Sequence, residues 1–345
     1  MQTLRGESVK KSNIISIKII LIILALFTFL ISFTMGRYSV SFKDLFYIFY
    51  AKIFGLPQIW SENVDTVLFK IRLPRIIAAL LIGSSLSVAG TTYQCLFKNP
   101  MVSPDILGAS AGAGFGAAMG LLLSFNMAGV QFLAFAFGMG AVLITYAVSK
   151  VIGRSNNTTL ILVLTGIVVS SLFQSLISLT KYVADPDSKL PAITFWLMGG
   201  LSTITFKEIH ILLITFIIGV VPILLLRWKL NVISFGEEEA KSLGINTDRM
   251  RIILIFCSTL LTAASVSMAG IIGWVGLVIP HVTRMIVGPN YKDLLPGSIL
   301  IGGAYLLLID NISRTIFSME IPLGILTSLI GAPFFITILL KGRRQ

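Results

Sequence analysis

Charged residues are scarce in this chain. Asp, Glu, Lys and Arg together make up 12% of its 345 residues, hydrophobic types make up 55%, and the mean hydropathy is +0.92. That charge fraction is roughly half of what a soluble domain carries, so a water-soluble globular fold is excluded. Cysteine and histidine are scarcer still. Cys95 and Cys257 lie far apart in apolar runs and supply neither a disulfide framework nor a metal-ligand spacing. His210 and His281 are equally isolated, so no two-histidine metal site can be built within the chain, and neither a metal nor a cofactor is expected.

The pattern G-x-x-x-x-G-K-[ST] is missing, so the chain does not bind ATP through a Walker loop, and any ATP hydrolysis belongs to another subunit. The pattern G-x-G-x-x-G fails in both available registers, because Ala117 and Met119 occupy the position of its last glycine. No basic stretch alternates with aromatics as a single-strand groove requires, which argues against nucleic acid as a partner. No nucleophile is paired with a base, which argues against an enzyme. Acidic residues also avoid the centres of the apolar runs: Asp105, Glu208 and Asp310 stand at run ends. A proton-coupled carrier needs a carboxylate relay within the membrane, so an ion-gradient-driven secondary transporter is the weaker alternative.

What the chain has in abundance is apolar runs of spanning length. At about 20 residues per crossing, they predict an all-α integral membrane protein of about ten transmembrane helices. The spans fall near residues 14–34, 76–96, 104–124, 128–150, 158–180, 208–227, 251–270, 272–286, 294–312 and 322–340. The whole chain, 1–345, reads as a single multi-pass membrane domain in contact with lipid. Most of the 27 lysines and arginines fall on the side of the N-terminus, among them Arg5, Lys10, Lys11, Lys150, Arg154, Arg227, Lys229, Arg249, Arg343 and Arg344. Fewer, such as Arg37, Lys43, Lys52 and Lys70, fall on the other side. By the positive-inside rule both termini are cytoplasmic, and the first span is an uncleaved helix.

Two connections exceed a tight turn. Residues 36–70 are amphipathic and aromatic, with Phe42, Phe46, Tyr47, Phe49 and Tyr50, and read as a helix lying on the outer interface. Residues 228–250 form the longest inner segment. Within it, Gly236, Glu237, Glu238, Glu239, Ala240, Leu243 and Gly244 read as a short helix with acids in its first turn, a Glu237–Lys241 pair and a glycine cap; Asn246, Thr247 and Asp248 offer the next N-cap. A docking surface and a solvated loop are both open readings of it.

Three further patterns carry information. Gly108, Gly112, Gly116 and Gly120 recur every four residues and form a stripe on which another helix can pack closely. Ser171, Gln174, Ser175 and Ser178 share one helix face, which either bonds a neighbouring helix or lines a passage for a polar solute. On the outer side, Arg72 and Arg75 open the second span, and Arg314 follows Asp310 by four residues. An Asp310–Arg314 salt bridge is one reading; reception of a partner's carboxylates by these guanidiniums is the other.

In order along the chain stand Arg72-Leu73-Pro74-Arg75, Gly83 to Gly90, Gln94, Asn99-Pro100, Pro104, Gly108, Trp196-Leu197-Met198-Gly199, Glu239-Ala240 and Leu243-Gly244. They are followed by Gly270, Val275-Gly276-Leu277, Pro280-His281, Arg284, Asp310, Arg314, Glu320, Pro322-Leu323-Gly324 and Gly331-Ala332-Pro333-Phe334. This series, from about residue 70 to the C-terminus, resembles the FecCD-type permeases of ABC importers, the family of iron-siderophore, haem and cobalamin uptake. The resemblance implies a ten-helix permease subunit in the cytoplasmic membrane, paired with an identical or paralogous copy around a central pathway. It also implies two cytoplasmic ABC ATPase subunits and an extracytoplasmic solute-binding protein. Gly236 to Gly244 then match the ATPase-coupling segment, Arg72, Arg75 and Arg314 the docking arginines, and Ser171 to Ser178 a pathway-lining helix. The implied activity is inward movement of a ferric siderophore or related iron chelate by alternating access, with haem or cobalamin as alternative cargo. Residues 36–70 match no motif of the family.

Overall fold

Apolar runs broken by Gly, Pro and capping residues set the helices of the computed structural model. It describes residues 2–36, 38, 40–58, 60–152 and 158–342, with side chains from residue 16 onward except at 158, 339, 341 and 342. Of the cations used for orientation, Arg37, Arg154, Arg343 and Arg344 lie outside the described residues. The helices run α1 (Gln2–Thr34), α2 (Phe42–Phe54), α3 (Glu62–Asp65), α4 (Leu73–Leu96), α5 (Ala109–Leu122), α6 (Met127–Ile152), α7 (Thr158–Val183) and α8 (Lys189–Met198). They continue as α9 (Phe206–Leu225), α10 (Arg227–Phe235), α11 (Glu237–Ser242), α12 (Thr247–Ala269), α13 (Val275–Val287), α14 (Tyr291–Thr315) and α15 (Leu323–Gly342). No strand occurs among the described residues.

Seven of these segments are long and apolar enough to cross a membrane: 16–34, 62–96, 127–152, 159–183, 206–225, 247–269 and 291–315. The other three expected spans appear as shorter apolar helices, α5, α13 and the 323–338 part of α15. Local breaks explain two of them. The expected helix at 104 begins as a 3-10 turn, Pro104–Leu107, and restarts after Gly108 at φ +91°. The one expected at 272 starts only after Trp274 at φ +70°. The 14 and 13 residues left to α5 and α13 span about 20 Å each at 1.5 Å per residue, less than the ~30 Å of hydrocarbon. The second expected span, conversely, starts earlier: a π-helical stretch, Thr66–Arg72, joins α3 to α4 without a break.

α4 and α12 form the centre, with 78% and 83% of their most apolar windows buried, against 22–33% for α1, α6, α7 and α9. Val88, Tyr93 and Leu96 of α4 pack with Leu254, Cys257 and Leu261 of α12 and with Ile223 of α9. Ile76 and Ile82 of α4 pack with Phe33, Leu306 and Leu323. Small residues bring backbones together here: a Cβ at Gly90 would stand 1.8 Å from the Gly276 carbonyl oxygen. The glycine stripe on α5 does the same for α6, since a Cβ at Gly112 would stand 2.4 Å from Phe137 O. Packing is what the stripe is for.

α4 and α14 run antiparallel. Their opposite ends meet through Arg75–Asp310, and their middles through Gly83–Gly302 and a Thr91–Ser298 hydroxyl pair at 2.9 Å. This pairing separates two ends of the bundle, one at Arg75 and Arg314, the other at the C-terminus of α4 beside α10. In the 36–70 segment, α2 is capped by Ser41 and Gly55; it buries Leu45, Ile48 and Ala51 and exposes Phe42, Phe46, Ile53 and Phe54.

Candidate functional site

At the first end, three guanidiniums and two carboxylates meet where α1, α4 and α14 converge. Arg72 closes the π-helical stretch and donates to the carbonyls of Phe33 and Tyr38 at and beyond the last turn of α1. Arg314 donates to Ser32 O at 2.8 Å and to Asn311, whose amide bonds the Ser32 hydroxyl at 2.7 Å. The carbonyl end of a helix is a natural seat for cations, because its last C=O groups lack intrahelical partners. Arg75 Nε donates to Asp310 at 2.8 Å, and its Nη1 reaches both Glu320 oxygens at 2.9 and 3.0 Å. Arg314 Nε lies 3.4 Å from the second Asp310 oxygen.

The Asp310–Arg314 bridge read from the sequence is therefore present, and Arg75 shares the same carboxylate. All three arginines are 4–6% exposed and Asp310 is fully buried, while the Glu320 side chain is 40% exposed. The guanidiniums are turned inward, and Glu320 is the member of the group that faces out. Next to it a cavity of about 320 Å³ opens between Arg75, Glu320, Trp196 and the backbone of 199–200 and 268–270. The non-helical 270–274 stretch lies beside it, and the backbone at its edge is tied across elements: Gly200 N–H donates to Ala269 O, the last residue of α12, and Leu323 N–H to Gly199 O, at 2.8 and 2.9 Å. Non-helical backbone at membrane depth needs such protein partners.

On α7, Val169, Phe173 and Ile177 pack inward against Ala111 and Phe115 of α5 and Ala141 of α6. Ser171, Gln174, Ser175 and Ser178 lie on the exposed side. The three serine hydroxyls donate to the carbonyls one turn back, Ile167, Ser171 and Gln174, each at 3.0 Å. They bond their own helix, so the interhelical reading within one chain does not hold.

At the second end, α10 and α11 are joined at Gly236. α11 closes with the bond pair that terminates many helices: Ile245 N–H donates to Ala240 O and Gly244 N–H to Lys241 O, both at 2.9 Å. Gly244 has φ +76°, the left-handed conformation that favours glycine, and Asn246 caps α12 through Arg249 N–H at 2.9 Å. Both caps match the sequence reading. Glu237 does not pair with Lys241, however; Arg251 of α12 takes its carboxylate and also reaches Asp248 at 3.3 Å. Ala240, Ile233 and Leu230 anchor the segment in the core, while Phe235 and Leu243 are 82% and 64% exposed beside Glu238 and Glu239. Two exposed apolar side chains with an acidic border thus flank a capped helix that is pinned to a central span.

Some placements escaped the sequence reading. The Trp196-Leu197-Met198-Gly199 motif ends α8, a ten-residue helix with no span-length signal. His210 Nδ1 lies 2.6 Å from Phe206 O, a helix-end contact. Among the described residues no group of His, Cys, Asp and Glu could hold a metal.

Comparison with known proteins adds an independent line. The profile of the FecCD transport family matches residues 23–341. The molybdate import system permease protein MolB of Haemophilus influenzae is 39% identical over 324 residues, covering 94% of this chain and 95% of that one. A protein of Helicobacter pylori described as an iron chelatin transport system permease is 40% identical over 282 residues, 82% and 85% of the two chains. Other relatives are described as cobalamin and hemin permeases. A solved structure described as an inward-facing ABC transporter of metal-chelate type superposes with a TM-score of 0.84 at 38% identity, covering 94% of this chain and 99% of that one.

Proposed function

The chain belongs to the FecCD transport family of ABC importer permeases, and from that premise we propose that it carries a ferric siderophore or related iron chelate inward across the cytoplasmic membrane. Membership displaces the ion-gradient carrier considered from the sequence. The observation that carries the cargo assignment is the match to the Helicobacter pylori iron chelatin permease together with the metal-chelate transporter superposition. Molybdate is the second reading, favoured by the 39% identity to a molybdate permease along nearly the full length of both chains. Haem and cobalamin are further cargoes that the relatives' descriptions admit.

The working unit in this proposal is a pair of permease chains, identical or paralogous, each a single membrane domain with both termini cytoplasmic. The exposed α7 lane of Ser171, Gln174, Ser175 and Ser178 supports a pathway between the copies, since the exposed Gln174 amide would find hydrogen-bond partners in water or a partner helix and none in lipid. The α10–α11 face around Glu237, Glu239, Leu243 and Gly244 is the seat of a cytoplasmic ATPase subunit. Its anchoring to α12 supports this role, because a push on α11 reaches the most buried helix directly. The Arg72–Arg75–Arg314 group is the docking end for a solute-binding protein. Glu320 there occupies the outer side of Arg75, the position that a partner's carboxylate would take on docking.

Uptake of labelled ferric siderophore, molybdate, haem and cobalamin by cells lacking this chain, with and without complementation, tests the cargo. Loss of ferric siderophore uptake alone is the expected result. Loss of molybdate uptake alone selects the second reading, and unchanged uptake of all four overturns the assignment.

A further inference from the structure

Gln94, Asn99-Pro100 and Arg284 have no part in the docking end, the α7 lane or the coupling face, yet the fold brings them to one place. α4 ends in the paired bonds of a left-handed cap: Asn99 N–H donates to Gln94 O and Lys98 N–H to Cys95 O, both at 3.1 Å. The cap position in such a motif is usually glycine. Here it is Lys98, at φ +48°. A bulky residue held in this region marks a position where something other than backbone economy selects the side chain.

Beside this strained turn lies a cavity of about 290 Å³, lined by Gln94, Lys98, Asn99, Ser234, Arg284 and Tyr291 among others. Its polar lining consists of an ammonium, a guanidinium, two amides, two hydroxyls and the Cys95 thiol, with no carboxylate. Arg284 Nη2 donates to Gln94 Oε1 at 3.2 Å, and the Gln94 amide nitrogen donates to Leu277 O at 3.2 Å, which fixes that oxygen toward the arginine. No carboxylate forms an ion pair with Lys98 or Arg284 among the described residues. Asp293, the acid nearest in sequence to Tyr291, is taken up by Lys18. Two cations thus line an open polar cavity without a counter-charge.

We propose that this cavity is a site for a phosphate-type oxyanion, supplied either as a free anion or as the headgroup of an anionic phospholipid. Guanidinium, ammonium and amide donors are the groups that hold phosphate oxygens, and the cavity volume accommodates the group. The site joins three elements: α4 through Gln94 and the Lys98 turn that follows it, α13 through Arg284 and α10 through Ser234. Asn231 already ties α10 to the start of α14, donating to Asn290 Oδ1 and accepting from Tyr291 N–H, both at 2.9 Å. A bound anion therefore braces α10, the helix that carries the α11 coupling face. The site itself stands independently of the cargo and of that coupling role.

The test uses the full chain in nanodiscs. Equilibrium binding of radiolabelled inorganic phosphate is measured in discs of phosphatidylcholine alone. Retention of phosphatidylglycerol is measured by native mass spectrometry after assembly in mixed phosphatidylglycerol and phosphatidylcholine discs. Two variants accompany the wild type: Lys98→Gly, which removes a cation while placing the residue best suited to φ +48° in the cap, and Arg284→Gln. Saturable phosphate binding, or specific phosphatidylglycerol retention, that weakens about tenfold in each variant supports the site, the fold-change being that of one lost charge-assisted hydrogen bond. Phosphate binding in phosphatidylcholine discs assigns the free anion; phosphatidylglycerol retention without it assigns the lipid. Binding of neither probe by the wild type, or undiminished binding by a folded Lys98→Gly chain, overturns the proposal.

Discussion

Replacing Asp310 with Asn is the sharpest test of what holds the arginine end together. Asp310 is fully buried and lies 2.8 Å from Arg75 and 3.4 Å from Arg314, both of which are 6% exposed. The amide keeps the shape of the side chain and removes its charge, leaving two buried guanidiniums beside a neutral oxygen. Breaking a buried pair from one side costs roughly 3–5 kcal/mol, because the remaining charge is uncompensated. Glu320 offsets little of this: its side chain is 40% exposed, so its pair with Arg75 belongs with surface bridges worth about 0–1 kcal/mol. The expected loss for Asp310→Asn is therefore about 3 kcal/mol or more, against at most about 1 kcal/mol for Glu320→Gln. Unfolding in detergent micelles by increasing dodecyl sulfate, followed by tryptophan fluorescence, measures both. A double-mutant cycle with Arg75→Met isolates the pair. If Asp310→Asn costs under about 1 kcal/mol, or no more than Glu320→Gln, the buried cluster does not stabilise this end and the reasoning fails.

Gly244→Val forces a β-branched residue into φ +76° at a site with open space around the Cβ, so only backbone strain of about 1–2 kcal/mol acts, and it acts locally; co-purification of the ATPase subunit should fall while the melting of the membrane domain stays unchanged. Glu320→Gln removes the negative charge that competes for the outer side of Arg75 and should tighten association with the solute-binding protein in a salt-dependent way, read by surface plasmon resonance from low to high ionic strength; equal affinity of both forms counts against docking at this end. The double substitution Ser171→Leu with Ser175→Leu removes hydroxyls that bond only their own helix, so folding should persist while uptake is lost, and full uptake would place the pathway elsewhere. In the α7–α8 connection, the Ser188 hydroxyl and N–H, both at 2.8 Å, hold the exposed Asp185 carboxyl below the usual carboxylate range. This contribution to the turn is present above the ordinary Asp value and is lost as pH falls through the depressed one. Amide exchange at Ser188 should stay protected down to about pH 4 and lose protection only below it; loss already near neutrality contradicts the assignment.

Much of the fold was legible because membrane helices advertise themselves through local composition. The ten apolar segments, the glycine stripe of α5 and the Gly244 and Asn246 caps all depend on residues within a turn or two of one another. What escaped the sequence reading depends on distant partners. The short lengths of α5 and α13 follow from unwound backbone, and beside 270–274 residues 199–200 tie the end of α12 to the start of α15. Arg314 is read most simply as an i, i+4 partner of Asp310, yet its closest backbone contact is Ser32, far away in sequence. Glu237 had Lys241 at helical spacing, but Arg251 reached it first, bringing a guanidinium that grips a carboxylate better than an ammonium does. Gln94, Lys98 and Arg284 likewise assemble only when α4, α10 and α13 meet. The inward turn of the arginines is the largest revision of a candidate site, since their exposure could not be read from their position at the mouth of a span.

In the proposed function, transport through this chain draws its energy from ATP hydrolysed in a partner subunit. Uptake of the identified cargo should be followed in complemented cells under two treatments, ATP depletion with the proton gradient maintained, and gradient collapse with ATP preserved. Uptake should stop in the first and continue in the second. Uptake that survives ATP depletion and stops with the gradient contradicts it.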